Sequence, residues 1–109
     1  MNVGKDLVAA SATPLILAIL SEGQSYGYAI IKRVSDLSGG ELQWTDGMLY
    51  PVLHRLERDG LVKSSWSEVG GRRRRVYELR PGGRDALAER QGNWRRFERA
   101  MNSILASSG

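Results

Sequence analysis

The sequence of 109 residues contains no cysteine and a single histidine, His54. Without thiolates or a second imidazole, the chain lacks the ligands of a disulfide framework, of the common zinc sites and of a thiol redox sensor. We therefore expect no metal and no cofactor. The longest apolar run, residues 14–20, is too short to span a bilayer, and no secretory signal pattern is present. These absences predict a soluble, cytoplasmic protein with no membrane partner.

Catalytic motifs are missing as well. The sequence has no Gly-x-Ser-x-Gly elbow and no phosphate-binding loop that ends in Gly-Lys-Ser or Gly-Lys-Thr, and His54 has no histidine partner. What the chain does contain is a small excess of positive charge, with 16 lysines and arginines against 12 acidic residues and a formal net charge of +4. Because such an excess favours polyanionic partners, we expect a binding protein and not an enzyme.

The N-terminal third of the sequence predicts two helices. In the first, Thr13 is a cap residue, Pro14 suits the first helical position, and a glycine ends the pattern. Residues 1–12 form either an earlier turn of this helix or a separate arm. A second helix is predicted over residues 25–40, with Ser25 as its N-cap and two glycines at its end.

A proline interrupts the third helical pattern, which covers residues 46–60 and has Thr45 as its N-cap candidate. Inside a helix, proline removes one backbone hydrogen bond and costs roughly 3 kcal/mol. Two interpretations are open: the first turn is broken at Pro51, or the helix starts late, near Tyr50, where a proline is tolerated. The apolar residues that should face the core recur at helical spacing and are Leu49, Val52, Leu53 and Leu56.

After the third helix the pattern changes from helical to extended. Two alternating segments, residues 61–68 and 72–79, flank a Val-Gly-Gly turn, which is typical of a β-hairpin. The second segment opens with four arginines, and strand geometry places alternate ones on the same face: Arg72 with Arg74, and Arg73 with Arg75. The other large aromatic residues are placed at the hairpin base (Trp44 and Trp66) or in the core (Tyr28 and Tyr77).

A long helical pattern follows Pro81 and runs to the serine-rich end. Gly92 weakens this helix by roughly 1 kcal/mol relative to alanine, and Arg90 occupies a position of its apolar seam, so the helix needs a partner. The seam itself is a short heptad pattern formed by Leu87, Trp94 and Met101, with Phe97 and Ile104 at its second position.

Three helices, a basic hairpin and a final helix are the order of a winged helix-turn-helix, an α+β fold. In that fold the third helix enters the major groove of DNA and the hairpin contacts the flanking backbone. We therefore divide the chain into a DNA-binding domain, residues 1–80, and a C-terminal dimerisation helix, residues 81–109, within the same structural unit.

Four sequence features also carry a family resemblance. The segments "YGYAIIKRV", "DGMLYPVLHRLERDGLV" and "GGRRRRVYEL", followed by Trp94 in the last helix, resemble the PadR family of bacterial transcriptional regulators. The short last helix is similar to that of the small PadR subfamily, whose members end in a single dimerising helix. Fold order and resemblance together predict a homodimeric repressor that binds a pseudo-palindromic operator in double-stranded DNA. The alternative is a ligand-binding or protein-interaction module without operator specificity.

The predicted DNA-binding residues come from three parts of the chain. On the third helix, Tyr50 can donate to a phosphate or pack as a half-buried residue, and His54 can bond a base edge or nothing. The arginine run can hold phosphates, or it can serve as a solubilising edge strand. The full set is Ser25, Tyr26, Lys32, Thr45, Gly47, Met48, Tyr50, Pro51, His54, Arg55, Arg72, Arg73, Arg74 and Arg75.

Trp94 raises the question of a ligand. In a self-associating helix it meets its symmetry mate near the twofold axis and buries about 150–250 Å². The plain interpretation is a dimer seam. The resemblance implies a second possibility, because in some small PadR relatives the matching tryptophans line a pore for flat aromatic molecules. The predicted partner is then a small hydrophobic or cationic aromatic effector. The residues assigned to the effector site or dimer interface are Val8, Leu87, Trp94, Phe97 and Met101.

Overall fold

The computed structural model describes residues 5–108, and side chains over residues 11–107. Four helices and a three-stranded antiparallel sheet form the α+β winged helix-turn-helix, which confirms the predicted fold class. In chain order the elements are α1 (Lys5–Ser21), β1 (Ser25–Tyr26), α2 (Gly27–Leu37), α3 (Asp46–Arg58), β2 (Val62–Val69), β3 (Arg72–Leu79) and α4 (Pro81–Ser108).

Helix α1 does not start at Thr13, so the predicted cap is wrong. It begins at Lys5, and Pro14 lies inside it. Residues 5–12 therefore extend the helix and do not form a separate arm. Packing explains the difference, because Ile16, Leu17 and other apolar residues of α1 are buried in the core, which outweighs a local start signal. Val8, assigned to the dimer interface, lies outside the residues whose side chains are described.

Ser25 is not the N-cap of α2. The helix begins two residues later, and its cap position is Tyr26, whose side chain makes no capping hydrogen bond. Ser25 and Tyr26 instead form β1, which pairs with Tyr77 and Val76 of β3. Because Ser25 is paired with β3 in this strand, it does not occupy the cap position of the helix. As a result, the start of α2 is joined directly to the hairpin.

Helix α3 runs without interruption from Asp46 to Arg58, so it neither starts late, near Tyr50, nor breaks at Pro51. Thr45 is its N-cap, as predicted, and its Oγ1 accepts a hydrogen bond from the Met48 amide. Pro51 falls inside the helix, where its missing N–H would have bonded the carbonyl of Gly47, a residue with no side chain to hinder a local adjustment. At the other end, Gly60 takes a φ of +78°, and the Leu61 amide donates to the Leu56 carbonyl at 2.9 Å.

Strands β2 and β3 form the wing, a hairpin in which Val69 pairs with Arg72. The turn between them consists of Gly70 and Gly71, with φ of +60° and +76°. Two positive φ values in succession are the geometry of a type I′ turn, which glycine adopts without a steric cost. The arginines therefore begin at the tip of the wing, as far as possible from the core.

The core lies between the first three helices and the base of the sheet. Tyr77 is buried there as predicted, and Trp44 is buried in the same cluster. Tyr28 is 64% exposed, so its assignment to the core is wrong: α2 buries Gly27, Ile30 and Val34, and Tyr28 lies off that face. Trp66 is also not packed at the hairpin base and is 56% exposed on the wing.

Among the residues whose side chains are described, the buried ones of α4 lie near its start. Leu87 is buried with the core and Gly83 is buried against the base of the wing, whereas five apolar residues farther along are exposed: Trp94, Phe97, Met101, Ile104 and Leu105. Among the described residues, no helix is both long and apolar enough to cross a membrane.

Candidate nucleic-acid interface

Helix α3 presents one exposed face opposite its buried leucines. Gly47, Pro51, His54 and Arg58 recur at i, i+4, i+7 and i+11, and all four are exposed. A small residue and a proline near the start of the helix leave the backbone accessible, and the histidine and the arginine supply polar groups farther along. This face, which we call the α3 stripe, has the side-chain chemistry of a helix that reads a groove.

Three other predicted residues of this helix are engaged with the protein. Thr45 uses its hydroxyl for the cap, and Met48 packs against the core. Arg55 donates from Nη2 to Thr13 Oγ1 of α1 at 3.1 Å. These contacts turn functional groups of the flanking residues toward the protein, so the stripe is the part of α3 that is most available to a partner.

Tyr50 lies at the junction of α2 and α3. Its hydroxyl is so close to Gly27 that a Cβ atom at Gly27 would overlap it, and its ring lies 6.2 Å from the ring of His54. Tyr50 is half-buried and also packs against the core. It therefore connects the first residue of α2 to the α3 stripe, and Gly27 makes that approach possible.

Lys32 and Arg58 differ in whether an acidic residue holds them. Lys32 Nζ forms an ion pair with Asp36 one turn later, at 3.0 Å, and this bonded carboxylate raises the pKa of Lys32. Arg58 is flanked in the sequence by two acidic residues, Glu57 and Asp59. Within residues 11–107 it forms an ion pair with neither, and Glu57 instead accepts a hydrogen bond from Ser64 of β2. Arg58 is thus a stronger candidate than the sequence alone suggested.

The wing arginines lie over aromatic rings. Arg74 Cζ is 4.4 Å from the centroid of the Tyr26 ring, so the strand that leads into α2 is covered by an arginine of β3. On the opposite face of the wing, Arg73 and Arg75 lie over Trp66, with Cζ at 4.9 and 5.5 Å from the ring. The fourth arginine, Arg72, is exposed beside the glycine turn. Cation–π contact of this kind leaves guanidinium N–H groups free for other acceptors.

Tyr77 marks where the wing meets α3. Burial raises the pKa of Tyr77, the nearby Glu57 carboxylate adds to the increase, and Arg75 opposes it. The hydroxyl therefore stays protonated at neutral pH. The hydrogen bond that Ser64 of β2 donates to Glu57 joins the end of α3 to the base of the wing.

A continuous set of contacts brings the three predicted parts of the interface together. The α3 stripe reaches α2 through Tyr50 and Gly27, α2 is joined to the wing by β1, and the wing arginine Arg74 covers Tyr26. Ser25 takes part through its backbone pairing with Tyr77. Lys32 lies on α2 outside this set of contacts. The result is a basic surface made from sequence-distant residues.

The second predicted site, around Trp94, is a groove between α1 and α4 with a volume of about 770 Å³. Its apolar lining includes Pro14, Leu15, Leu87 and the Trp94 and Phe97 rings, whose centroids are 6.0 Å apart. The charged residues of the described lining are Arg90 and Arg95, and no carboxylate belongs to it. This composition gives no counter-charge to a cationic ligand. Met101 lies farther along the same helix and is not part of the lining.

Sequence reasoning missed two residues that organise the interface. Trp66 was placed at the hairpin base. Counting residues back from the two-glycine turn pairs Trp66 with Arg75, and this pairing could have indicated that the two side chains share one face of the hairpin. Gly27 was not considered, because nothing in its immediate sequence shows that the Tyr50 side chain approaches it. Both depend on pairing between segments that are far apart in the chain.

The fold and this surface together define a winged helix-turn-helix of the DNA-binding kind. A family model described as the transcriptional regulator PadR-like family matches residues 16–89. Transcriptional regulator Rv3488 of Mycobacterium tuberculosis is 52% identical over 54 residues, which cover 50% of this chain and 50% of that protein. The chain thus aligns with about half the length of this curated relative.

Solved structures give the same result over nearly the whole chain. A transcriptional regulator from Clostridium thermocellum matches with a TM-score of 0.84 and 28% identity, over 93% of this chain and 96% of that one. A PadR family transcription regulator from Clostridium difficile R20291 matches with a TM-score of 0.78 and 33% identity, over 87% and 98%. The chain belongs to the PadR-like family of transcriptional regulators, which confirms the resemblance and the expectation of a regulator instead of an enzyme.

Proposed function

We propose that this regulator is a homodimeric repressor that binds a pseudo-palindromic DNA operator. The observation that carries the proposal is the α3 stripe beside the wing arginines, held in one surface by β1. In a dimer, two such surfaces place two α3 helices in successive major grooves, about 34 Å apart. The wing arginines then neutralise the flanking phosphates. Because a regulator of transcription acts on chromosomal DNA, the proposal places the protein in the cytoplasm.

The proposed dimer forms through α4. Beyond Leu87 the apolar seam of this helix is uncovered in the single chain, and Trp94 is 60% exposed. A second copy related by twofold symmetry covers an identical seam with itself. The symmetry of the protein then matches the inverted symmetry of the operator.

We further propose that a small aromatic molecule binds in the groove between α1 and α4 and thereby releases the repressor from its operator. The Trp94 and Phe97 rings supply flat contact area for such a molecule. The arginines of the lining favour an uncharged or anionic molecule over the cationic one that the family resemblance implied. A ligand there changes the angle between α1 and α4 in each protomer and so the spacing of the two α3 helices. Coupling of about 1–3 kcal/mol is typical of such regulation.

The test is a binding selection from random duplex DNA at physiological salt with excess nonspecific competitor. We expect an enriched inverted repeat whose half-sites are about 10 base pairs apart. If a folded dimer enriches no sequence, the operator model is wrong and the ligand-binding or protein-interaction alternative takes its place.

Variants on the selected operator separate the roles of the two parts of the surface. Neutralising Arg72 and Arg74 to glutamine should weaken binding to all sequences and flatten the salt dependence, whereas His54→Ala should change the preferred bases. For about eight phosphate contacts, log affinity should fall against log salt with a slope of about −7. Equal effects of the two changes on every sequence would contradict this division of roles.

A further inference from the structure

The face of the wing that carries Arg73 and Arg75 has an exposed tryptophan between them. Trp66 lies directly opposite Arg75 in the strand register, so their side chains share one face of the hairpin. Arg73 lies directly opposite Glu68, yet its guanidinium lies over the Trp66 ring. One indole thus contacts two cations, at 4.9 and 5.5 Å from its centroid.

The position of Trp66 is unusual for a residue with a purely structural role. It is 56% exposed and lies outside the buried core cluster, whereas the residues of the same face nearer the base, Val62 and Tyr77, are fully buried. An indole that is more than half exposed gains only part of its possible burial energy. The cation–π contacts described for Trp66 are those with the two guanidinium groups, which points to a role that concerns those groups.

We propose that Trp66 is a positioning residue that orders Arg73 and Arg75 before DNA binds. A guanidinium stacked on an aromatic face keeps its N–H groups in its own plane and pointing past the ring, where they remain available to phosphate or base acceptors. The ring restricts the rotamers of two long side chains without using their donors. Binding then avoids most of the entropy loss of immobilising them. This inference rests on the proposed DNA-binding function.

Opposite faces of the wing give the inference an internal comparison. Arg74 stacks on Tyr26, which is held by β1 and by the start of α2, and Arg72 has no ring partner among the described residues. Three wing arginines therefore lie over aromatic rings. Of the two rings, Trp66 is part of the wing, whereas Tyr26 is part of β1. Replacing Trp66 should affect Arg73 and Arg75 and leave Arg72 and Arg74 unchanged.

The first experiment measures side-chain order in the protein without DNA. ¹⁵N relaxation of the arginine Nε–Hε groups should show Arg73 and Arg75 more ordered than Arg72 in the native protein. In Trp66→Ala the order of Arg73 should fall to that of Arg72, and the order of Arg75 should fall less, because Arg75 keeps its interaction with the Tyr77 hydroxyl. In Trp66→Phe the order of both arginines should be largely retained. Equal order of the three arginines in the native protein would overturn the inference, whatever the protein binds.

The second experiment measures affinity for operator DNA over a range of salt concentrations. Trp66→Ala should weaken binding about tenfold, the cost of ordering two long side chains, at an unchanged slope of log affinity against log salt, because no charge is lost. Trp66→Phe should restore most of the affinity. Ser65→Ala, on the other face of the same strand, is the matched control and should bind as the native protein does.

The outcomes distinguish this inference from the function on which it rests. If native protein binds the operator and Trp66→Ala binds equally well, Trp66 is not a positioning residue and the DNA-binding proposal stands. If Trp66→Ala flattens the salt slope as much as Arg73→Gln with Arg75→Gln, the ring maintains the shape of the wing and the ordering model is wrong. If native protein shows no salt-dependent DNA binding at all, the proposed function fails first. Thermal unfolding of each variant shows that it is folded.

Discussion

Helices α3 and α4 both carry an apolar stripe at helical spacing, but the structure covers only one of them. Leu53 of α3 is fully buried, whereas Ile104 of α4 is 67% exposed. The α4 helix has 28 residues and is about 42 Å long, so it extends past the helix α1 on which it packs. The comparison teaches that periodicity identifies which face of a helix is apolar and does not say which molecule covers it.

The largest expected effect concerns the exposed apolar stripe of α4, which we expect a second copy of the chain to cover. Trp94→Glu tests whether α4 is the dimer helix. Two symmetry-related indoles at the centre of the seam bury large aromatic surfaces against each other, and a carboxylate in the same seam would carry a desolvation cost into the interface. Analytical ultracentrifugation should therefore show the variant as a monomer. Leu37→Glu, at an exposed leucine of α2, is the control and should stay dimeric. An unchanged dimer in the Trp94 variant would place the seam elsewhere.

Alanine substitutions in the two apolar stripes should differ strongly in their effect on the stability of the protein. Leu53→Ala leaves a cavity under α3 and should lower the free energy of unfolding by about 2–5 kcal/mol in urea titrations. Ile104→Ala should cost less than about 0.5 kcal/mol in dilute protein, where monomers prevail, and more as the concentration rises and the dimer forms. Equal losses at low concentration would mean that the far half of α4 is covered within the chain.

A smaller effect is expected at the start of α4, where Gly83 is buried and the adjacent Gly82 is exposed. A Cβ at Gly83 would overlap the Leu61 carbonyl oxygen and the Leu79 side chain, whereas at Gly82 the nearest atom is 3.6 Å away. Because backbone cannot move aside easily, Gly83→Ala should lower stability by about 1–3 kcal/mol in thermal unfolding. Gly82→Ala should be neutral or slightly stabilising. Similar effects of the two variants would show that α4 is not seated tightly on the wing.

The smallest expected effect concerns an ion pair that links α2 to the end of α1, the two helices that pack against the buried leucines of α3. Arg33 of α2 bonds Glu22, just after α1, with Nη2 2.7 Å from Oε2, and this hydrogen bond lowers the pKa of Glu22. A lowered carboxyl pKa stabilises the folded state above the unfolded value, and the stabilisation is lost as the pH falls. Glu22→Gln should therefore be slightly less stable at pH 7 and equal to the native protein well below pH 4.5. Thermal unfolding at both pH values measures the difference, and a gap that persists at low pH would assign the effect to packing.

Local signals predicted much of the fold because they act within one turn of the chain. The Thr45 cap, the stop at Gly60 and the two-glycine hairpin all depend on neighbouring backbone groups. Where a local signal competed with packing, it lost. Pro14 lies inside α1 because the apolar residues around it are buried against the core, and Ser25 serves in a strand because β3 pairs with it.

The candidate interface was predictable in composition and not in arrangement. The arginine run and the outward residues of α3 were visible as residue types at helical and strand spacing. The contacts that arrange them join residues far apart in the chain: Arg74 with Tyr26, Tyr50 with Gly27, and Arg55 with Thr13. No local pattern encodes such pairs.

By itself the sequence determined the order of the four helices and the hairpin, the family and the basic character of the wing, because periodicity, caps, turns and charge are properties of consecutive residues. Only the tertiary structure decided which polar residues of α3 are turned back toward the protein, which arginines stack on Tyr26 and Trp66, and which apolar stripe is left uncovered. Those outcomes depend on the pairing of β1 with β3 and on the packing of α4 against α1. Packing between distant segments decides them, and it is fixed only when the whole chain is folded.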